Sequence, residues 1–206
     1  MVPLKGKTRH DVLMEFRHEE ILEAARKVFA RKGYAEASVE DIAREAGIAK
    51  GTLYLYYDSK HEIYWEALKQ GLGALCDAIE KKVCAERSCE SKVRAFIAAK
   101  LTWFEENRDL FKIYHAEFAH VMSQPACLRK DFKGFHQRQV KLLTRALRQG
   151  ILQKVIRKLP AEAAAEAVLD VARGVITQRL LGWSRTKLQA DIDFLFDLTW
   201  KGLVCR

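Results

Sequence analysis

The chain has 206 residues, 49% hydrophobic and 10% aromatic, enough for one large or two modest domains with a substantial core. Only 3 Pro and 11 Gly are present and no Ser/Gly- or Pro-rich linker, which points to helices that follow one another closely. The net charge of +9 suits a polyanionic partner, but residues 1–60 hold 11 Lys+Arg against 10 Asp+Glu, while the remainder holds 25 against 17.

No strand-period run bounded by turn signals stands out, and no apolar run reaches membrane-spanning length. No signal-peptide pattern opens the chain, so the expectation is an all-α, soluble, cytoplasmic protein without a membrane partner. The five cysteines (Cys76, Cys84, Cys89, Cys127, Cys205) are irregularly spaced and include no C-x-x-C pair. They signal neither a zinc site nor a disulfide framework. A nucleophile elbow, a Gly-rich phosphate loop and a metal cluster are all missing, so no enzyme, cofactor or metal is expected.

In chain order, Lys5, Lys7 and Arg9 form a small basic arm, either a frayed terminus or an arm that touches DNA. Ile21, Leu22, Ala25, Val28 and Phe29 recur at helix spacing over residues 17–32, and Gly33 supplies the stop. Ser38 and Asp41 make a capping pattern for the next helix, which Gly47 ends. A second short helix is predicted over residues 50–57, closed by Asp58, Ser59 and Lys60. Two helices around a short Gly-containing turn make a helix-turn-helix, whose second helix is built to enter a DNA major groove.

Ser59 then caps a long helix over residues 60–83, a lever between the helix-turn-helix and the rest. Further helices are predicted at 91–107, 109–122, 126–152, 161–183 and 191–204, about nine in all. The domain division expected is 1–60 for DNA binding and 61–206 for effector binding and dimerisation.

The stretch RHEEILEAARKVFARKGY, followed by ASVEDIAREAGIAKGTLYLYYDSKHEIYWEAL, covers about residues 17–68. It resembles the tetracycline-repressor (TetR/AcrR) family of bacterial transcriptional regulators. The remaining two thirds agree only in helix number and length. The resemblance implies a homodimer on a palindromic double-stranded operator, released by a small-molecule effector, with repression the expected sense. Positions matching the family's DNA contacts are Ser38, Lys50, Gly51, Thr52, Tyr54, Tyr56 and Lys60. Lysine, threonine and tyrosine can reach phosphates or base edges there, and Gly51 permits close backbone approach. Leu53 and Tyr57 are expected to face inward. Ala49, on the same surface, departs from the Ser or Thr many members carry, and its missing cap weakens the recognition helix by about 1 kcal/mol.

In the second domain Trp103, Phe104, Phe111, Tyr114, Phe118, Met122, Phe132 and Phe135 crowd together. They make either a plain aromatic core or an apolar pocket for an apolar or amphipathic effector of unknown identity. His115, Glu117, His120, His136 and Gln178 are its polar candidates. Of these, Glu117-x-x-His120 has the spacing of a di-iron helix but occurs once. Ten basic residues and a single acid lie between Arg129 and Lys158, either a solvated face or an attractor for an anionic effector. Ala163, Ala164, Ala167, Gly174, Val168, Val175, Ile192, Leu195 and Phe196 make the last two helices the expected dimer surface. A helical protein-interaction module is the reading left from another class, with the basic excess its support.

Overall fold

The computed structural model describes residues 9–120 and 126–204. Lys5, Lys7, Met122, Pro125 and Cys205 lie outside the described residues, and the side chains of Arg9, Tyr114, Glu117, Phe118, His120 and Cys127 outside the described side chains. Among the described residues the chain forms nine α-helices: α1 (Arg9–Glu36), α2 (Val39–Glu45), α3 (Lys50–Leu53), α4 (Lys60–Ala85), α5 (Cys89–Glu106), α6 (Arg108–His120), α7 (Ala126–Leu152), α8 (Ala161–Leu180) and α9 (Leu188–Leu203). Among the described residues the one extended pairing is an isolated bridge between Ile156 and Val204.

Local chemistry explains the boundaries. Gly33 leaves the α1 helix at φ 75, ψ 168, a backbone only glycine adopts without strain, and redirects the chain toward α2. The Ser38 hydroxyl accepts from the Asp41 N–H while the Asp41 carboxylate accepts from the Ser38 N–H, a complete capping box. The other end of α2 closes with Ile48 N donating to Ala43 O at 2.9 Å and Gly47 N to Arg44 O at 3.2 Å, with Gly47 at φ 67. This pair of bonds satisfies the last carbonyls and turns the chain sharply into α3.

Regular helix in α3 is shorter than the sequence suggests. It stops at Leu53, and Leu55 N and Tyr56 N bond the carbonyls of Thr52 and Leu53 as tight turns. Ala49 provides no side-chain cap at the front. At the back, Ser59 must be extended to cap α4 by accepting from Glu62 N at 3.1 Å. A run of Tyr-Leu-Tyr-Tyr, with weak helix propensity, is thus tightened between two ends it does not control.

Two apolar cores result. The first joins Ile21 and Val28 of α1, Ile42 of α2, Leu53 of α3 and Ile63 and Leu68 of α4. The second joins Phe96, Ile97, Leu101 and Phe104 of α5 with Leu143 and Leu147 of α7, Ala172 of α8 and Leu195 of α9. Two helices serve both. On α4, Leu72 lies in the first core and Leu75, Ile79 and Val83 in the second. On α6, Leu110 and Ile113 face the first core and Phe111 the second. The helix-turn-helix packs on α1, and α1 in turn is seated on α4 and α6.

The α4–α6 seam is close because Gly71 lacks a side chain. A Cβ there would stand 2.4 Å from Leu110 Cδ2 and 2.6 Å from Cδ1. Gly71→Ala should destabilise the protein by about 1–3 kcal/mol through overpacking, and the double variant with Leu110→Ala should cost less than the sum of the two single losses. Urea denaturation of the two single variants and the double variant measures the coupling.

Candidate DNA-reading surface and effector cavity

The α2–α3 unit presents a small outward surface. Leu53 is fully buried and Tyr57 nearly so, while Lys50, Gly51, Tyr54 and Leu55 are exposed and Thr52 and Tyr56 half-buried. The inward pair fixes the outward one. The Tyr57 hydroxyl and His18 Nδ1 of α1 share a hydrogen bond of 2.9 Å, and His18 also meets the edge of the Tyr56 ring at 4.9 Å. Burial, reinforced by Glu66 and Glu62, pushes the Tyr57 phenol well up, so it remains neutral.

Electrostatics on this face are mostly internal. Lys50 Nζ donates to the Glu40 carboxylate across the turn and lies 5.8 Å from the Tyr54 ring centre. That pairing lowers the Glu40 pKa and raises that of Lys50. Asp41 gathers Lys32 Nζ at 2.8 Å, the Ser38 hydroxyl at 2.8 Å and Arg44, and Lys32 and Ser38 hold its carboxyl far below the usual range. The Ser38 hydroxyl is thereby engaged in the cap.

Lys60 is placed differently from the other family positions. Its ammonium donates to the carbonyls of Tyr34 (2.8 Å), Ala35 (3.3 Å) and Ala37 (2.8 Å) and lies 4.5 Å from the Tyr34 ring centre. An ammonium has three donors, and here all three close the turn after Gly33. Tyr34 in turn packs on Tyr64, at 4.8 Å, above the first core.

A small, partly open cavity of about 30 Å³ lies between α4, α5, α6, α7 and α8. Its apolar wall is Leu72, Leu75, Phe111, Phe132, Phe135, Leu169 and Ile176, and its polar groups are Lys100, His115, His136, Gln139 and Arg173. His115 and Phe135 are thus brought to the cavity. Trp103, Phe104 and Gln178 are not: Phe104 is fully buried in the second core against Phe111 at 4.9 Å. Trp103 is turned toward the outer α4–α5 surface, and Gln178 is exposed on α8. Tyr114, Phe118 and Met122 fall outside what is described.

The groups sequence reasoning passed over are Lys100, Gln139 and Arg173. Lys100 had a signal: it shares a helix face with Phe96, Ile97, Leu101 and Phe104, where a lysine interrupts an apolar stripe. It is 91% buried, and Gln139 Oε1 at 2.6 Å is its hydrogen-bond partner among the described residues. Burial, with Arg173 adding to it, pulls the ammonium down to about 8. Burial likewise lowers the His115 pKa, and His115 Nε2 bonds Thr177 Oγ1 at 3.1 Å. The basic stretch on α7 stands apart from this. Arg138 bridges to Asp77 (2.7 Å) and Glu80 (2.5 Å) of α4, and Lys141, Arg145 and Arg148 are exposed.

With α8 and α9 side by side, an apolar groove of about 430 Å³ runs past Ala163, Ala167, Val171 and Leu198. Phe194, at 66% exposed, extends this apolar surface along α9. Arg179 fixes the platform from behind, bonding Glu105 of α5 (3.2 Å), Asp191 of α9 (2.6 Å) and Thr186 O (3.0 Å).

Comparison with known proteins decides the family. The family model described as bacterial regulatory proteins, tetR family, matches residues 21–67. The HTH-type transcriptional repressor KstR2 of Mycobacterium tuberculosis is 30% identical over 141 residues, spanning 68% of this chain and 70% of the relative. The chain belongs to the tetR family. Two solved structures share the fold at 22% identity. A transcriptional regulator FadR from Bacillus subtilis, in complex with stearoyl-CoA, matches with a TM-score of 0.78 over 90% of this chain and 98% of its own. A putative transcriptional regulator from Saccharomonospora viridis, in complex with choline, matches with a TM-score of 0.83 over 94% and 100%. As a tetR-family member the chain is a helix-turn-helix, DNA-binding transcriptional regulator, and among the described residues no helix is long and apolar enough to cross a membrane.

The buried lysine sets a stability profile. Between about 8 and the ordinary 10.5 the unfolded chain holds the Lys100 proton more tightly than the folded one, so stability rises with pH across that window. Lys100→Met should stabilise the protein at neutral pH by about 2 kcal/mol, allowing for the lost bond to Gln139, and should flatten that rise. Urea midpoints measured as a function of pH check both.

Proposed function

We propose that the protein is a homodimeric, ligand-responsive repressor that binds a palindromic operator and is released when a small molecule enters the α4–α8 cavity. The observation that carries this reading is the double membership of α4 and α6. Leu72 contributes both to the core under the helix-turn-helix and to the cavity wall. On α6, Leu110 and Ile113 support the DNA-reading unit while Phe111 and His115 line the cavity. A ligand that enlarges the cavity displaces the two helices on which the reading unit sits. Two recognition helices must stand ~34–36 Å apart to meet adjacent major grooves, so a small tilt at each seat is enough to break the match. The ligand shifts the population toward the mismatched spacing in proportion to its preference for it.

The proposed reading groups are Lys50, Gly51, Thr52, Tyr54 and Tyr56, with Ala49 lying beside them; Ser38 contacts phosphate only by giving up its bonds to Asp41. Lys50 must exchange Glu40 for DNA. Lys50→Ala with Tyr54→Ala should weaken operator binding about a hundredfold or more, since phosphate and base contacts are each worth about 1–3 kcal/mol and appear twice in a dimer. Glu40→Gln should strengthen binding by freeing Lys50. Fluorescence anisotropy on an operator obtained by sequence selection reads both, and unchanged affinity in the double variant rejects the assignment.

Dimerisation is assigned to α8 and α9, where Val171, Phe194 and Leu198 are exposed beside the groove. Burying them against a two-fold copy makes a four-helix interface. Leu198→Glu should convert the dimer to a monomer in light scattering and abolish operator binding while leaving helicity intact.

A further inference from the structure

The bonds that fold the recognition segment are local. Leu55 N donates to Thr52 O at 3.1 Å, and Tyr56 N and Tyr57 N donate to Leu53 O at 3.0 and 3.1 Å. They shape the turn but do not place it against α1. On one side α3 packs on α2, with Lys50 bonded to Glu40. At the far end Asp58 N donates to the Glu62 carboxylate of α4 at 2.7 Å. Toward α1, Leu53 enters the shared core, an apolar contact that sets no single orientation.

Among the described residues the directional tie to α1 is His18. Its imidazole stands edge-on to two consecutive rings, Tyr56 at 4.9 Å and 83° and Tyr57 at 5.3 Å and 80°. Its Nδ1 meets the Tyr57 hydroxyl at 2.9 Å. The Tyr57 ring is buried, and burial keeps the proton on the phenol, so the O–H donates and Nδ1 accepts. A buried donor left without a partner is costly, so the hydroxyl stays on His18.

We propose that His18 is a positioning residue for operator recognition: wedged between Tyr56 and Tyr57 and accepting from the Tyr57 hydroxyl, it fixes the rotation of residues 54–57 against α1. The inference rests on the assignment of this segment to DNA reading and adds to it a residue of the preceding helix. A rotation that carries Tyr57 off Nδ1 carries Tyr54 and Tyr56 with it. Base-edge hydrogen bonds weaken steeply with distance and angle, so they tolerate little misplacement. Attraction to random sequence is mostly Coulombic and tolerates it. Because α1 packs on both α4 and α6, His18 also passes the attitude of that seat to the reading tyrosines.

The experiment is fluorescence anisotropy on a sequence-selected operator and on a random duplex of the same length at the same salt. Wild type, Tyr57→Phe, His18→Ala, His18→Asn and the Tyr57→Phe/His18→Ala pair are compared, each shown by circular dichroism to be folded at the assay temperature. Tyr57→Phe removes one oxygen from a buried ring. It should weaken operator binding by about fivefold or more, since a hydrogen bond is lost in each half of the proposed dimer, and leave the random duplex unaffected. His18→Ala should weaken it at least as much, and adding Tyr57→Phe should cost nothing further. Asparagine can set its side-chain oxygen where Nδ1 stood, so His18→Asn should bind the operator better than His18→Ala.

Wild-type operator affinity in Tyr57→Phe, equal losses on the two duplexes, additive losses in the pair, or no advantage of Asn over Ala each overturns the proposal. Should His18→Ala fail to fold, Tyr57→Phe on the two duplexes decides. Lys50→Ala with Tyr54→Ala, measured alongside, separates the two claims. A loss there with none in Tyr57→Phe rejects the role of His18 alone, and no loss in either rejects the reading segment as well.

Discussion

Leu110 occupies the notch that Gly71 leaves, and this contact packs α6 closely against α4. Everything above and below is arranged on that pair. The core under the helix-turn-helix, with α1 between, reaches its upper half at Ile63, Leu68 and Ile113, and the cavity lies beside its lower half at Leu75, Phe111 and His115. A close-packed seam transmits displacement because neither side can deform without losing dispersion contacts. The opposite wall is anchored. Arg179 ties α8 to α5 and α9 through two carboxylates and a backbone carbonyl, so expansion is resisted there.

The sequence and the fold agree most closely where local chemistry decides. Ser38 with Asp41, Gly47 and Ser59 are caps whose geometry depends on neighbours within a few residues, and all formed as the pattern suggests. The inward placement of Leu53 and Tyr57 followed from helical period alone. The length of α3 did not, since it is set by competition with the cap of α4 rather than by residues 50–57 themselves. The DNA-contact role expected of Lys60 came from the family resemblance, which says nothing of the bonds its ammonium makes within the chain. Only the folded turn after Gly33 brings the carbonyls of Tyr34, Ala35 and Ala37 around its ammonium.

The cavity was the least legible part, for a physical reason. Aromatic residues mark both cores and pockets, so composition pointed equally to Phe104, which is solid core, and to Phe135, which lines the space. The informative residue was the misfit. Lys100 on an apolar face is costly unless it meets an anion, and Gln139 and Arg173 reach it only through packing between α5, α7 and α8.

The internal pairing of charge on the reading head bears on how the regulator searches a genome. Attraction to bulk DNA comes from unpaired cations facing phosphate. Here Lys50 is matched by Glu40, Lys32 by Asp41, and Lys60 by backbone carbonyls. On the proposed reading, pairing of this kind leaves these three lysines little free charge to offer random sequence. In that reading Lys50 exchanges Glu40 for DNA, and the Glu40 carboxylate penalises every site that does not reward the exchange. Discrimination then arises as much from reluctance to bind elsewhere as from the strength of the correct contact.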